Sequence, residues 1–431
     1  MINEEFLHFI WKFQLFDFSN LRTTNNESIH VFKPGLHNHN AGPDFLNTKI
    51  KINSIVWFGD VELHVKSSDW LKHKHQFDEN YNTVVLHVVY EDDIEIRLEN
   101  GAALPCLELK SLIPNKYLTE YDSLFHSMAT LPCNYAIGNL ETLFWSSYTE
   151  TLLIERLEFK MNRINILFVD SKNDYKECFY QLLAYALGLK INADSMLDLA
   201  KTSPLLLLQK HRGNRMQLEA ILFGQSGLLL RKYTSDYPKQ LQNEYSFLAQ
   251  KYKLNPISPT QWKFFRLRPS SFPSLRISQL ADFVVKSETI VEQLFSFKNT
   301  KTILPFFKLQ VSDYWKTHYV FDKTTLKTNK QIGKSTLDLI LINAVLPFCF
   351  FYARQKSDSE MLARVVEAYQ SIKSEDNKIV SYFKEAKLAV HTAAKSQALI
   401  HLHDQYCIPR KCLNCRVFNQ ILNKSEFLDS K

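Results

Sequence analysis

The spacing of hydrophobic and polar residues changes along the N-terminal part of the chain. Apolar residues at helical spacing predict an amphipathic helix over 4–16. Strict alternation over 56–66 predicts a strand with one apolar face. The strand-like run 45–52 predicts its antiparallel partner, joined through a tight turn at Asn53 and Ser54. The two runs therefore predict a β-hairpin.

Further patterns complete the predicted order of elements. Residues 83–90 are β-branched and apolar almost throughout, which is typical of a strand buried on both faces. A strand near 29–32 and a short helix after the N-cap cluster 67–69 give the order helix, three strands, helix and strand. The runs 93–98 and 106–109 flank a turn at Asn100–Gly101 and predict a second hairpin.

From about residue 140 onward the spacing is helical. It predicts separate helices at 194–208, 277–286 and 288–297, among others. We therefore expect an α/β domain over 1–130, an all-helical domain over 131–406, and a cysteine-containing tail over 407–431.

One face of the strand over 56–66 carries ionisable groups. Side chains alternate sides with period two, and the polar side holds Asp60, Glu62, His64 and Lys66. Asp44 lies at the start of the partner strand, so we expect it to converge with Glu62 and His64. Two carboxylates and an imidazole can hold a divalent cation that generates hydroxide at a phosphate. The alternative is a buried salt-bridge network with Lys66 or Arg97 as its cation.

Histidines are concentrated around these strands, with six of the 14 lying in 37–87. On a regular helix His73 and His75 would point about 200° apart. Both could then serve one ion only if that turn is irregular, and we expect them instead at the rim, contacting a substrate phosphate. His87 lies in the buried strand, where a hydrogen-bonded core role is the expectation.

The C-terminal tail holds three cysteines, Cys407, Cys412 and Cys415, in a C-x4-C-x2-C spacing. Thiolate sites need four ligands, for zinc or for an iron–sulfur cluster. Cys133 is the best remaining candidate, and His401 or His403 is the alternative for zinc. The remaining alternative is a set of reduced, unligated thiols beside the last helix.

A segment over 262–276 interleaves aromatic residues with three arginines, Arg266, Arg268 and Arg276. Such a pattern suits phosphate contact and base stacking. Equally, the arginines could cap helices or pair with acids in a structural crossing.

Composition bounds the function. The 431 residues are 45% hydrophobic, which is enough to build substantial cores, and the net charge of +7 permits contact with an anionic polymer. No glycine-rich nucleotide-binding pattern occurs. The start lacks a basic segment, and the apolar run 337–352 is interrupted by polar residues and a proline. We expect a cytoplasmic protein with no membrane partner.

The chain is similar over nearly its whole length to an uncharacterised bacterial family, the domain of unknown function 2851. The similarity rests on the segments HNHNAGPDF (37–45), VELH (61–64), SSDW (67–70) and HKH (73–75), on Arg268-Pro269, Phe272-Pro273 and Arg276, and on the cysteine-rich tail. The three tail cysteines with one upstream cysteine also resemble the arrangement in iron–sulfur nucleases of the RecB-like branch.

The N-terminal part resembles the PD-(D/E)xK restriction-endonuclease-like superfamily, through Pro43-Asp44 and Glu62. This resemblance implies an αβββαβ core with a mixed sheet, and Mg²⁺ or Mn²⁺ held by Asp44 and Glu62. His64 stands where that family has lysine, and Lys66 lies one strand step beyond.

These patterns lead to two hypotheses for the function. The first is a Mg- or Mn-dependent nuclease acting on DNA or RNA, in which His64 binds metal or orients water and Lys66 steadies the phosphate. The second is a non-catalytic nucleic-acid or ribonucleoprotein-binding factor that retains the fold.

Overall fold

A computed structural model describes residues 2–38, 40–98 and 101–428, and the chain divides into two compact units. The first unit combines Met1–Leu140 with His403–Lys431, and the second is Glu141–Leu402. The cysteine tail, expected as a separate segment, therefore belongs to the same unit as the N-terminal sheet.

The N-terminal part of the first unit follows the predicted order of a helix, strands, a short helix and a strand, with one additional two-residue strand, β2, between the first and second predicted strands. Its elements are α1 (Glu4–Phe13), β1 (Ile29–Lys33), β2 (Leu36–His37), β3 (Phe45–Ile52), β4 (Ile55–Lys66), α2 (Asp69–Lys72), β5 (Val84–Glu91), β6 (Cys106–Glu108), α3 (Asn115–Phe125) and α4 (Asn134–Ile137).

These strands form one mixed sheet in the order β1-β3-β4-β5-β6, with β2 paired to β3. The hairpin of β3 and β4 is antiparallel, as predicted, and its turn places Asn53 at a φ of 52°. Asparagine tolerates this left-handed conformation better than most residues. β5 lies parallel to β4, and β6 lies parallel to β5.

The predicted hairpin of 93–98 with 106–109 is wrong. β6 pairs with β5, while 93–98 contributes only an isolated bridge between Arg97 and Ala103. Ile96 and Leu104 are buried in a small cluster with Trp70 and Tyr81. The connection therefore folds over that cluster and delivers β6 in the parallel direction.

Apolar side chains on β4 attach the sheet to the helices. Val61 and Leu63 are buried in a core with Phe6 and Ile10 of α1. The Asn3 side chain caps α1 by accepting a hydrogen bond from the Phe6 amide. Because the apolar face of β4 is covered in this way, its ionisable face lies on the other side of the strand.

The second unit is mostly helical, with one small hairpin. Its elements are α5 (Thr142–Asp170), α6 (Tyr175–Leu187), α7 (Ala193–Thr202), α8 (Leu205–Gln209), α9 (Arg215–Gln225), α10 (Asp236–Tyr252), α11 (Pro273–Phe295), α12 (Thr300–Ile303), α13 (Asp313–Lys316), β7 (His318–Val320), β8 (Lys323–Thr324), α14 (Lys334–Ile340), α15 (Leu346–Lys356), α16 (Ser359–Ser371), α17 (Lys378–Glu385) and α18 (Ala393–Leu402). The chain then returns to the first unit through a π-helical turn (His403–Cys407) and ends in α19 (Arg416–Leu428).

Several helix boundaries differ from the predicted ones. The predicted helix over 194–208 is divided into α7 and α8 at Pro204, which cannot donate a backbone hydrogen bond. The predicted helices over 277–286 and 288–297 are one helix, α11, since Ser287 is buried within it and bonds Val284 O.

The stretch Lys334–Lys356, formed by α14, a π-helical turn and α15, is long and apolar enough to span a membrane. Most of its apolar window, 72%, is buried inside the protein, as in many core helices.

Gly59 lies on β4 directly beside Thr83 and Val85, at the start of β5. A Cβ at this position would contact Val85 Cγ1 and would lie 2.5 Å from the Thr83 carbonyl oxygen. We expect Gly59→Ala to cost about 1–3 kcal/mol through overpacking and to lower the melting temperature of the first unit in calorimetry. Gly213→Ala is the control, because its Cβ would meet nothing within 4 Å. Equal melting of the Gly59→Ala variant and the parent would contradict the close packing.

Candidate metal centre

Ionisable side chains from four parts of the first unit meet at the buried end of β4. The strand supplies Glu62 and His64, the start of β3 is preceded by Asp44, α1 supplies His8, and the segment after α2 supplies His73 and His75. Sequence analysis placed Asp44, Glu62 and His64 together, and the structure brings them together.

The two carboxyl groups lock the β3–β4 hairpin at this end. Glu62 Oε2 accepts a hydrogen bond from the Asp44 amide at 3.0 Å. Asp44 Oδ2 in turn accepts from the Leu63 amide at 2.9 Å. One oxygen of each carboxyl group is therefore fixed by the backbone, and Glu62 Oε1 faces the imidazoles.

His64 is the buried centre of the histidine group. Its Nδ1 lies 2.9 Å from His87 Nε2, and its Nε2 lies 3.1 Å from His73 Nδ1 and 3.6 Å from Glu62 Oε1. When His64 donates from Nδ1 to His87, its Nε2 lone pair faces Glu62 and His73. A second-shell hydrogen bond of this kind orients a ligating histidine. His87 is thus the hydrogen-bonded buried histidine expected from its strand.

Two further imidazole nitrogens in the group lack a hydrogen bond. His75 Nε2 lies 3.4 Å from Glu62 Oε1, and His8 Nε2 lies 3.1 Å from Asp44 Oδ2. Neither pair has hydrogen-bonding geometry, and both nitrogens are buried without a hydrogen-bond partner among the described residues. Because buried polar atoms are normally paired, these nitrogens fit the ligands of an ion.

An irregular turn brings His73 and His75 to the same point. α2 ends at Lys72, and Lys74 adopts a left-handed conformation with a φ of 63° before a 3-10 turn starts at His75. Ligand atoms of His64, His73 and His75 consequently lie within 4.8 Å of one another. The structure places His73 and His75 inside the cluster, whereas a regular helix would have separated them.

Burial controls the charges in this site. Burial, and next the neighbouring carboxylate of Asp44, raises the pKa of Glu62. Burial followed by the charges of the nearby histidines lowers the pKa of His64 to about 2. Burial also lowers the pKa of His75. His64 and His75 are therefore neutral near pH 7 and available as ligands, while Glu62 retains a proton until a cation replaces it.

His8 is the member of the cluster that sequence analysis missed, and Glu4 lies beside it. The pKa of Glu4 is raised by burial, with smaller effects from His73 and Asp44, which shows that Glu4 faces the same group. Glu4 and His8 are spaced i, i+4 on α1, away from its apolar stripe. The i, i+4 spacing of Glu4 and His8 was the sequence signal that could have identified them. Only the packing of α1 shows which face of the sheet these two side chains meet.

The matching family model covers residues 4–378 and describes a protein of unknown function (DUF2851). The chain belongs to this family. No curated protein and no solved structure matches it.

The other predicted site residues of this DUF2851 protein are distributed over both units. Lys66 is exposed at the end of β4, and its backbone amide bonds Asp69. Arg266 and Arg268 are exposed in the second unit, where Arg266 lies against the Phe265 ring. His39 lies outside the described residues.

Arg276 was expected to contact nucleic acid, and the structure contradicts this. Its side chain is buried, only 3% exposed, and donates from Nη1 to Gln279 Oε1. Burial lowers its pKa to about 10. It has therefore no surface from which to contact a phosphate.

The donor set differs from that of a typical magnesium site. Magnesium prefers oxygen ligands, whereas imidazoles suit zinc, iron, nickel and copper, and carboxylates also suit manganese. Three histidines with Glu62 and Asp44 therefore fit Mn²⁺ or Zn²⁺ better than Mg²⁺.

We expect binding of Mn²⁺ or Zn²⁺ to strengthen as the pH rises from about 6 to about 8, because the ion must displace the proton on Glu62. Without metal, the raised pKa of Glu62 means that folding stability falls as the pH rises above the ordinary glutamate value, and bound metal removes that loss. Calorimetric titration in two buffers of different ionisation enthalpy measures the proton release. Binding of these ions without proton release, or no binding, would contradict the assignment.

Proposed function

We propose that this protein is a metal-dependent phosphodiesterase that acts on nucleic acid. The observation that carries the proposal is the convergence of His64, His73 and His75, with the Glu62 carboxyl group beside His64 and His75. The Nε2 atom of His75 is buried without a hydrogen-bond partner. A divalent ion in such a site supplies a Lewis acid and lowers the pKa of a bound water.

The chain's own residues have distinct roles in this proposal. Glu62, His64, His73 and His75 hold the ion. Asp44 fixes the Glu62 carboxyl group through its backbone amide and keeps its own carboxylate beside His8. His8 and Asp44 are placed to accept or return a proton at the edge of the site. His87 positions His64 by bonding its other ring nitrogen.

The element order supports the same proposal. The order of one helix, β1, β3, β4, a short helix and β5, with Asp44 just before β3 and Glu62 on β4, is similar to that of a restriction-endonuclease-like core, apart from the added two-residue strand β2. Two features differ from that pattern. His64 occupies the lysine position, and histidines replace part of the usual oxygen ligands.

An exposed face next to the cluster supports nucleic acid as the substrate. Phe58 lies on the same side of β4 as Glu62 and His64 and is 72% exposed. Lys49, its cross-strand partner, lies over both the Phe58 ring, at 5.4 Å, and the Phe32 ring, at 5.3 Å. Aromatic rings with interleaved lysines bind single strands by stacking and by phosphate contact. A strand bound there would lead along β4 to the cluster.

The second hypothesis, a binding factor without catalysis, keeps one observation in its favour. The exposed face of Phe32, Lys49 and Phe58 needs no metal, and Lys66 lies exposed at the end of β4. Under this hypothesis the cluster would hold a structural ion.

We expect Glu62→Gln to lower metal-dependent cleavage by more than about 100-fold, because it removes an anionic ligand while conserving volume. Cleavage of single-stranded, duplex and hairpin DNA and RNA with Mn²⁺, Zn²⁺ or Mg²⁺ is the measurement. Glu91→Gln is the matched control, since Glu91 is an exposed residue of the same sheet that pairs with Lys110. Absence of cleavage by the parent protein with every metal, together with tight binding, would favour the binding factor.

We expect Phe58→Ala to weaken single-strand binding about tenfold, because stacking on one aromatic ring contributes about 1–3 kcal/mol. Fluorescence anisotropy of labelled single-stranded DNA and RNA with chelator present measures binding alone. Phe247→Ala, which removes another exposed phenylalanine, on α10, is the control. Equal losses in both variants, or none in either, would remove this face from the proposal.

A further inference from the structure

Four cysteines gather around one small cavity in the first unit. Cys133 lies just before α4, Cys407 ends the π-helical turn, and Cys412 and Cys415 lie on the segment leading into α19. All four line the same cavity, together with Leu124, Pro132, Tyr406 and Phe418. Residues far apart in sequence therefore place four sulfur atoms around a common space.

The sulfur atoms are not joined to each other. All seven cysteines lie within the described residues, and none forms a disulfide. Burial, and then the neighbouring thiols of the same group, raises the pKa of Cys133 and Cys407. Four buried or half-buried thiols around one apolar cavity are a costly arrangement for thiolates unless a cation is bound among them.

The separation of the sulfur atoms distinguishes a zinc site from an iron–sulfur site. In a tetrahedral zinc site with Zn–S of about 2.3 Å, neighbouring sulfurs lie about 3.8 Å apart. Among the described residues, three or more ligand atoms lie within 4.8 Å of one another only in the histidine cluster. No three of the four cysteine sulfurs are therefore within 4.8 Å of one another.

The surroundings also distinguish the occupant. Leu124, Pro132 and Phe418 make the cavity apolar, so a water molecule there would lack hydrogen-bond partners. One cation lies nearby: Arg410 donates from Nη2 to the carbonyl oxygens of Ser127 and Ala129. Its Nη1 is buried without a hydrogen-bond partner. A positive charge and a spare donor suit an anionic group that accepts weak hydrogen bonds.

We propose that Cys133, Cys407, Cys412 and Cys415 bind an iron–sulfur cluster. Such a cluster spreads its four cysteine sulfurs around several irons and so needs more room than a single ion. The apolar walls shield it from water, and Arg410 offsets its negative charge. Its role is to hold residues 403–428 against the N-terminal part of the first unit. Phe418 of α19 also packs there on Phe9 of α1, with ring centroids 5.2 Å apart.

The test is metal analysis of the full chain purified without oxygen. We expect iron and acid-labile sulfide in equal amounts, about two or four of each per chain, with the broad visible absorption of iron–sulfur charge transfer. About one zinc per chain without sulfide would overturn the cluster in favour of a zinc site. Protein free of both metals, even after anaerobic incubation with ferrous iron and sulfide, would overturn the proposal altogether.

A matched pair of variants assigns the ligands. Cys412→Ser should lose at least half of the bound iron and the visible absorption, and Cys412 is the least buried of the three tail cysteines. Cys106→Ser is the control, since Cys106 is a buried cysteine of the same unit on β6 and lies outside the cavity. Equal iron loss in both variants would overturn the assignment.

If Cys412→Ser does not fold, oxidative removal of the cluster from the parent should lower its melting temperature, and reconstitution should restore it.

Discussion

The first unit depends on one constraint, the burial of ionisable groups on a single face of β4. Glu62 and His64 are 5% and 1% exposed, and neither can remain there without polar partners. The partners come from every neighbouring element: the Asp44 amide before β3, His87 on β5, and the two histidines after α2. The strand register and the irregular turn at Lys74 bring these partners to Glu62 and His64.

The same strand face changes from exposed to buried along its length. Phe58 is open to solvent and Glu62 is enclosed, yet both point to the same side because strand side chains alternate. A surface suited to single-strand stacking and a cluster suited to a divalent ion are therefore continuous on one element. This continuity connects the proposed substrate class to the candidate chemistry, and it follows from the alternation of side chains along β4.

Periodicity predicted the N-terminal elements well, because alternation and helical spacing depend on local burial. It placed Asp44, Glu62 and His64 on adjacent strands, where the structure brings them together. It could not show that Lys74 adopts a left-handed conformation that turns His73 and His75 inward, or that α1 brings His8 to the cluster. The predicted hairpin of 93–98 with 106–109 was wrong because β6 pairs in parallel with β5, a non-local partner that local alternation cannot identify. Arg276 matched a surface pattern, yet tertiary packing buries it.

The second unit is an insertion between two parts of the first, so the tail must be held to the N-terminal part by contacts of its own. Residues 403–428 must return to a sheet formed by residues before 141. The entropic cost of closing so long a connection rises only slowly with its length, so a modest number of contacts can offset it. Phe418 and Leu422 supply apolar contacts to the N-terminal core. Apolar contacts are non-directional, whereas four thiolate bonds to the proposed cluster would fix the register of the tail. The anchoring of the last helix and the gathering of the cysteines therefore have the same physical origin.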